Sequence, residues 1–187
     1  MEDFVVDLLK NNLSEFYFYH NYKHTLYVQE KAIEIGKFEN CTEKELDLLN
    51  VAALWHDTGY TKTYANHEEE SCKLARQYLP GYGYSATDID TICGIIMATK
   101  IPQLPKNKLE EIMADADLEY LGTDTFKIKA DDLFREIQHI KPSLTKADWD
   151  RSQVSFIEKH HYFTRFCNEK REPLKQVYLN ELLHGVH

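Results

Sequence analysis

The chain has 187 residues, and its 31 acidic residues outnumber its 22 Lys and Arg residues to give a net charge of −9. This length suits about one domain. The acidic balance disfavours a nucleic-acid polymer as a partner, because binding a phosphate backbone requires a basic surface. Hydrophobic residues make up 43% of the chain and charged residues 28%, which is typical of a globular protein rather than a disordered one.

Neither the beginning of the chain nor its cysteines indicate export or membrane insertion. The opening residues lack the basic and apolar segments of a signal peptide. The apolar run at residues 51–55 is far shorter than the ~18 residues that suggest a membrane span. The four cysteines lack C-x-x-C spacing, and we interpret them as small buried apolar residues. We therefore predict a cytoplasmic protein that has no membrane partner.

Hydrophobic periodicity predicts helices along the whole chain, and no segment alternates with a period of two long enough to require a strand. Capping patterns at Thr42, Thr87 and Thr145 mark three helix starts, and Gly59, Gly122 and Gly185 are candidate stops. In chain order, the predicted helices cover about 2–12, 21–37, 43–55, 67–79, 88–97, 109–121, a segment ending near 140, 146–166 and 173–184. The fold class is therefore predicted to be all-α, with about eight to ten helices.

Side chains that can bind a metal ion stand at helix ends and on helix faces beside apolar residues. They are His20 and His24, the dipeptide His56-Asp57, and the pair Asp115 and Asp117. Buried charges are normally paired or bound to a metal. Imidazole nitrogens together with carboxylates suit a divalent ion, and Mn, Mg, Co, Fe, Ni and Zn all remain possible.

These segments together resemble the HD-domain superfamily of metal-dependent phosphohydrolases, an all-α family named for a His…His-Asp…Asp metal site. Residues 19–28 are similar to the first motif of cyclic-nucleotide phosphodiesterases, residues 54–60 to the HD motif, and residues 114–122 to the closing D-A-D-L-x-x-L-G segment. The resemblance implies a single HD-type domain, a helical bundle over residues 1–187. Its core would cover about 19–140, and the C-terminal helices of 145–187 would pack on it.

The resemblance also implies roles for individual residues. The metal ligands would be His24, His56, Asp57 and Asp117, with Asp115 as the alternative to Asp117. Asp57 would in addition orient or deprotonate the attacking water. His20 lies one helical turn before His24 and would act as the general acid on the leaving oxygen.

Substrate contacts are predicted mainly in two regions, one shortly after the HD dipeptide and one near the end of the chain. Small stand-alone bacterial HD proteins share residues 67–71 and a tail like residues 156–164. Basic residues near that tail could neutralise phosphate charge. The predicted substrate contacts are His67, Glu68, Lys100, His160, Lys170 and Arg171.

The function implied by the resemblance is hydrolysis of a phosphoester or phosphoanhydride bond in a nucleotide or similar small phosphorylated molecule. No motif fixes the base, the sugar or the number of phosphates. Two alternatives remain open: a non-catalytic HD module that senses a nucleotide, and a two-iron HD oxygenase. Many HD proteins with two metals carry an extra histidine where this chain has Ala98-Thr99-Lys100, which disfavours the oxygenase.

Overall fold

The computed structural model describes residues 1–184, and in this part of the chain all regular structure is helical. The predicted all-α fold class is confirmed. The predicted stop at Gly185 and the end of the predicted domain lie outside the described residues. The ten α-helices are α1 (Glu2–Asn12), α2 (Tyr22–Phe38), α3 (Glu43–Trp55), α4 (His67–Tyr78), α5 (Ala86–Met97), α6 (Lys108–Asp117), α7 (Phe126–Ile140), α8 (Lys146–Lys159), α9 (Arg165–Lys170) and α10 (Glu172–His184).

The main core forms around α3, whose second half is apolar on every side. Val51, Leu54 and Trp55 are almost fully buried, and α3 packs against α2, α5 and α6. A helix that is apolar all round belongs inside a protein. Because α3 ends at Trp55, the two residues that follow it enter the interior of the bundle. Within residues 1–184, no helix combines the length and the apolar character needed to cross a membrane.

A second, smaller core joins the C-terminal helices to the rest of the bundle. The short 3₁₀ helix Glu119–Gly122 contacts both α7 and α10, and α10 also packs against α8. Leu121, Phe126, Ile157 and Leu179 are buried in this core. The polar end of α6 therefore lies between two apolar regions.

Three predicted helix boundaries were wrong, each for a local reason. The cap of α5 is Ser85, whose hydroxyl accepts from the Asp88 amide, rather than Thr87. The helix expected to reach residue 121 ends at Asp117 and continues as a 3₁₀ helix. The helix expected to reach residue 166 ends at Lys159, because the following residues extend before the separate helix α9 begins.

Gly59 lies within the 3₁₀ helix Thr58–Thr61 and does not end α3. A Cβ atom at this position would lie 1.9 Å from the carbonyl oxygen of His67, which is backbone and cannot move aside easily. Glycine is therefore required for the close approach of α4 to the segment that follows α3.

We expect Gly59→Ala to lower the free energy of unfolding by about 1–3 kcal/mol or more, the usual range for overpacking. Gly81→Ala is the matched control, because no atom lies within 4 Å of a Cβ built there. Urea unfolding of both variants measures the difference. Equal stability of the two variants would contradict the close packing at Gly59.

Candidate metal centre

Four side chains from three helical regions converge beneath the surface of the bundle. His24 lies in the first turn of α2, His56 and Asp57 directly follow α3, and Asp117 is the last residue of α6. They meet because α2 packs on both α3 and α6. The fold thus joins residues that are far apart in the sequence.

The facing atoms of these side chains form a closed ring of short distances. His24 Nε2 lies 3.0 Å from Asp117 Oδ1 and 3.6 Å from Asp57 Oδ2. His56 Nε2 lies 3.2 Å from Asp57 Oδ2 and 3.6 Å from Asp117 Oδ1. Two ligands that each lie about 2.1 Å from an ion are about 3.0 Å apart at a right angle and about 3.4 Å apart at the tetrahedral angle. The ring therefore has the size of a coordination shell, and His24, His56 and Asp117 form a cluster that could hold a metal ion.

The orientation of His56 and Asp57 fits a metal ion better than it fits hydrogen bonding. His56 is fully buried, and its Nδ1 donates to the Ala53 carbonyl oxygen at 2.7 Å, which directs Nε2 toward the ring. His56 Nε2 and Asp57 Oδ2 are both buried without a hydrogen-bond partner. Buried polar atoms without partners are costly, and binding a divalent ion would satisfy both of these atoms.

The two carboxyl groups of the ring are anionic. Burial favours the neutral form of Asp57, but the nearby His56 imidazole outweighs it and holds the pKa of Asp57 below its usual range. Burial likewise opposes ionisation of Asp117, but the hydrogen bond with His24 and the positive charge of the nearby histidines lower its pKa. The ring therefore offers two negative oxygens and two imidazole nitrogens, a mixed donor set that suits a borderline or hard divalent cation.

Asp115, the alternative ligand, points away from this ring. Its carboxylate accepts from the Phe163 and Thr164 amides and from the Thr164 hydroxyl. Burial nevertheless raises the pKa of Asp115 to about 6. Asp115 thus holds the segment between α8 and α9.

Asp117→Asn is expected to weaken Mn²⁺ binding by more than about 100-fold. Replacing a residue that only hydrogen-bonds to a metal ligand already lowers metal affinity by ~10–100-fold. Asp115→Asn should leave Mn²⁺ affinity unchanged and lower the free energy of unfolding by about 1–3 kcal/mol through lost acceptor capacity. Calorimetric titration with Mn²⁺ and urea unfolding in a chelator separate the two effects. The reverse pattern would make Asp115 the ligand.

His20 lies four residues before His24, just ahead of the start of α2, and is held by a residue that sequence reasoning missed. Glu136 on α7 is buried, pairs with His20 Nδ1, and accepts from the Tyr19 and His20 amides at 2.9 and 3.0 Å. Burial lowers the pKa of His20, but the Glu136 hydrogen bond and the charges of Asp57 and Asp117 outweigh it, so that the pKa is raised overall. No sequence pattern identifies Glu136, because it lies 116 residues away in an ordinary amphipathic helix.

His67 and Glu68 lie in the first turn of α4, and His67 stands beside Asp57. His67 Nε2 lies 3.5 Å from the second carboxylate oxygen of Asp57, and its ring stacks on Tyr60 at 3.8 Å. Burial lowers the pKa of His67, which favours the neutral imidazole. Glu68 is almost fully buried.

These side chains open onto a cavity of about 670 Å³. Its polar end contains His20, Asp57, His67, Glu68 and Asp117. Residues of α7 and α8 also line the cavity, and most of them are apolar. A cavity of this size suits a small-molecule ligand.

Of the four other predicted substrate contacts, only Lys100 lines this cavity, and it is already paired with Glu69 and Asn66. The other three do not line it. His160 accepts from the buried Lys175 ammonium. Arg171 pairs with Glu119, and Lys170 is exposed at the end of α9. His160, Lys170 and Arg171 therefore lie outside the cavity lining, so the cavity does not support their predicted contacts with the substrate.

Comparison with known proteins agrees with this geometry. The family model described as HD domain matches residues 21–120 of the chain. The fold is similar to the crystal structure of a predicted HD superfamily hydrolase from an uncultured Thermotogales bacterium. That similarity has a TM-score of 0.60 and 20% sequence identity, and it covers 99% of this chain and 92% of the other. Among curated proteins, none matches the chain at a significant level.

Proposed function

The chain belongs to the HD domain family, and from this premise we propose that it is a metal-dependent phosphohydrolase. Its reaction would cleave a phosphoester or phosphoanhydride bond in a small phosphorylated metabolite, with nucleotides as the first class to test. The observation that carries the proposal is the ring of four donor atoms at the polar end of the cavity, with His20 on the same wall.

Each residue of the polar end has a distinct task in this proposal. His24, His56, Asp57 and Asp117 would hold the divalent ion, which when bound supplies a water of lowered pKa and offsets charge on the phosphoryl oxygens. Asp57 also faces the cavity, where it would orient the attacking water and accept its proton. His67 and Glu68 are proposed to contact the water or the phosphate beside Asp57.

His20 is proposed to protonate the leaving oxygen. It lines the cavity without belonging to the ring of donor atoms. Glu136 holds its Nδ1, so Nε2 is the atom free to give a proton to the substrate. The raised pKa keeps this histidine protonated to a higher pH than a free histidine, as a general acid requires.

The two alternatives receive less support from the site. A two-iron oxygenase needs further nitrogen ligands, but Thr99 donates its hydroxyl to the Ile96 carbonyl and Lys100 is paired with Glu69. A module that only senses a ligand has no need of an acid and its positioning carboxylate beside the metal ligands. We propose a cytoplasmic location for this activity, since the four cysteines are free thiols and suit a reducing compartment.

The proposal is tested by metal analysis combined with a hydrolysis assay. The purified protein is stripped with a chelator and reloaded separately with each candidate ion. Phosphate release is then measured from p-nitrophenyl phosphate, alkyl phosphates, and nucleoside mono- and triphosphates. We expect release that depends on the metal and stops with the chelator. Tight metal binding without release from any phosphate ester or anhydride would favour the sensing module.

A further inference from the structure

The cavity beside the metal ligands continues into a pocket that the proposed chemistry does not use. We call this pocket the apolar arm; it is the part of the cavity that residues of α7 and α8 line. Its wall is formed by Leu121, Phe126, Leu133, Ile137, Trp149 and Phe156. Leu133, Ile137 and Phe156 are only half-buried, so apolar surface remains available inside the cavity.

We propose that this site binds a ligand with one phosphate group and an apolar body, that is, the phosphate monoester of an alkyl or aryl alcohol. The phosphate would lie at the ring of metal ligands, and the apolar body would fill the apolar arm. As a statement about the substrate, this inference rests on the proposed function.

The charges on the cavity wall favour a single phosphate. Among the lining residues that the structure describes, Lys100 is the sole Lys or Arg, and Glu69 already pairs with it. The wall also carries the carboxylates of Asp57, Glu68 and Asp117. A divalent ion offsets the charge of two of them, and a monoester phosphate adds about −2. A polyphosphate chain would add further negative charge that no further lining Lys or Arg balances.

The position of His20 indicates which part of the ligand enters the apolar arm. His20 is held by Glu136, and Glu136 lies on α7 between Leu133 and Ile137. Residues three and four apart on a helix share a face. Glu136, which holds His20, therefore lies on the same side of α7 as the residues that line the apolar arm. The leaving oxygen receives its proton from His20, and the alcohol attached to that oxygen therefore extends along the wall of the arm.

The test compares methyl, butyl and octyl phosphate with AMP and ATP on the Mn²⁺-loaded protein. Burial of each methylene is expected to raise kcat/KM by up to about fourfold, and we expect at least about 100-fold from methyl to octyl. Leu133→Asn and Ile137→Asn should remove most of this dependence. Ile128→Asn is the matched control, because Ile128 lies on α7, is 67% exposed and does not line the cavity.

A binding measurement provides a readout that is independent of turnover. Trp149 lines the apolar arm, whereas Trp55 lies in the main core. Octylphosphonate should change the tryptophan fluorescence of the Mn²⁺-loaded protein at concentrations at least about 100-fold lower than methylphosphonate. Trp149→Phe should remove this signal, and Ile137→Asn should weaken the binding.

The possible outcomes separate this inference from the proposed function. Equal kcat/KM for methyl and octyl phosphate, or faster turnover of ATP than of octyl phosphate, would overturn the inference and leave the hydrolase intact. If no ester or anhydride is cleaved with any metal, the proposed function fails. In that case tight octylphosphonate binding that Ile137→Asn weakens supports the apolar arm as a ligand site, and absent binding overturns it.

Discussion

Asp57→Asn and His56→Ala are each expected to lower the rate of phosphate release by at least about 10³-fold, because a bound metal lowers the activation barrier by several kcal/mol. His56 Nε2 and Asp57 Oδ2 are the two buried atoms of the ring that lack hydrogen-bond partners. His56→Ala leaves three donor atoms where four now converge, and Asp57→Asn replaces an anionic donor oxygen by a neutral one. The measurements are the rate of phosphate release and the metal content after dialysis.

The asparagine variant separates loss of metal from loss of fold. Its side chain has nearly the size of aspartate, whereas His56→Ala opens a hole at a fully buried position. Adding Mn²⁺ should raise the melting temperature of the wild type, since a ligand that binds the folded state stabilises it. Asp57→Asn should show no such rise. Asp90→Asn is the control, because Asp90 pairs with Arg76 on the surface. Wild-type activity and metal content in Asp57→Asn would refute the proposed centre.

The helices and the ligand motifs could be predicted from the sequence because both depend on local information. The capping boxes at Thr42 and Thr145 each form two hydrogen bonds within four residues, and both appear in the structure as predicted. The dipeptide His56-Asp57 directly follows an apolar helix, so its burial follows from the burial of that helix. Motif spacing and apolar periodicity are sufficient for features of this kind.

What the sequence could not predict depends on contacts between distant segments. Glu136 reaches His20 only because α7 folds back over the start of α2, and an acid on an amphipathic helix gives no sign of this. The basic residues near the end of the chain were predicted to reach the substrate from charge alone. Arg171 instead pairs with the buried Glu119, a contact between residues 52 positions apart that tertiary packing determines. The apolar arm likewise combines residues from α7 and α8 that a sequence pattern assigns simply to a core.

His20→Ala is expected to lower the turnover of an alkyl phosphate by roughly 10²–10⁴-fold, the usual contribution of a general acid. With p-nitrophenyl phosphate the loss should be much smaller, because that leaving group departs without a proton. The content of bound metal should not change, since His20 lies outside the ring of donor atoms. Steady-state rates on the two substrates and metal analysis provide the measurements. Equal losses on both substrates would mean that His20 positions the substrate rather than donating a proton.

Glu136→Gln tests how the acid is kept protonated. The Glu136 carboxylate raises the pKa of His20 through a hydrogen bond and through its charge, and glutamine preserves the shape but removes the charge. A general acid works in its protonated form, so activity on an alkyl phosphate should fall as the pH rises through the pKa of His20. Loss of the carboxylate lowers that pKa, and the alkaline limb of the pH–rate profile should therefore move to lower pH.

Asp132→Asn is the control, because Asp132 lies one turn earlier on α7 and pairs with Arg135, and it should leave the alkaline limb in place. An unmoved limb in Glu136→Gln would show that a group other than His20 donates the proton, because removing the Glu136 charge lowers the pKa of His20.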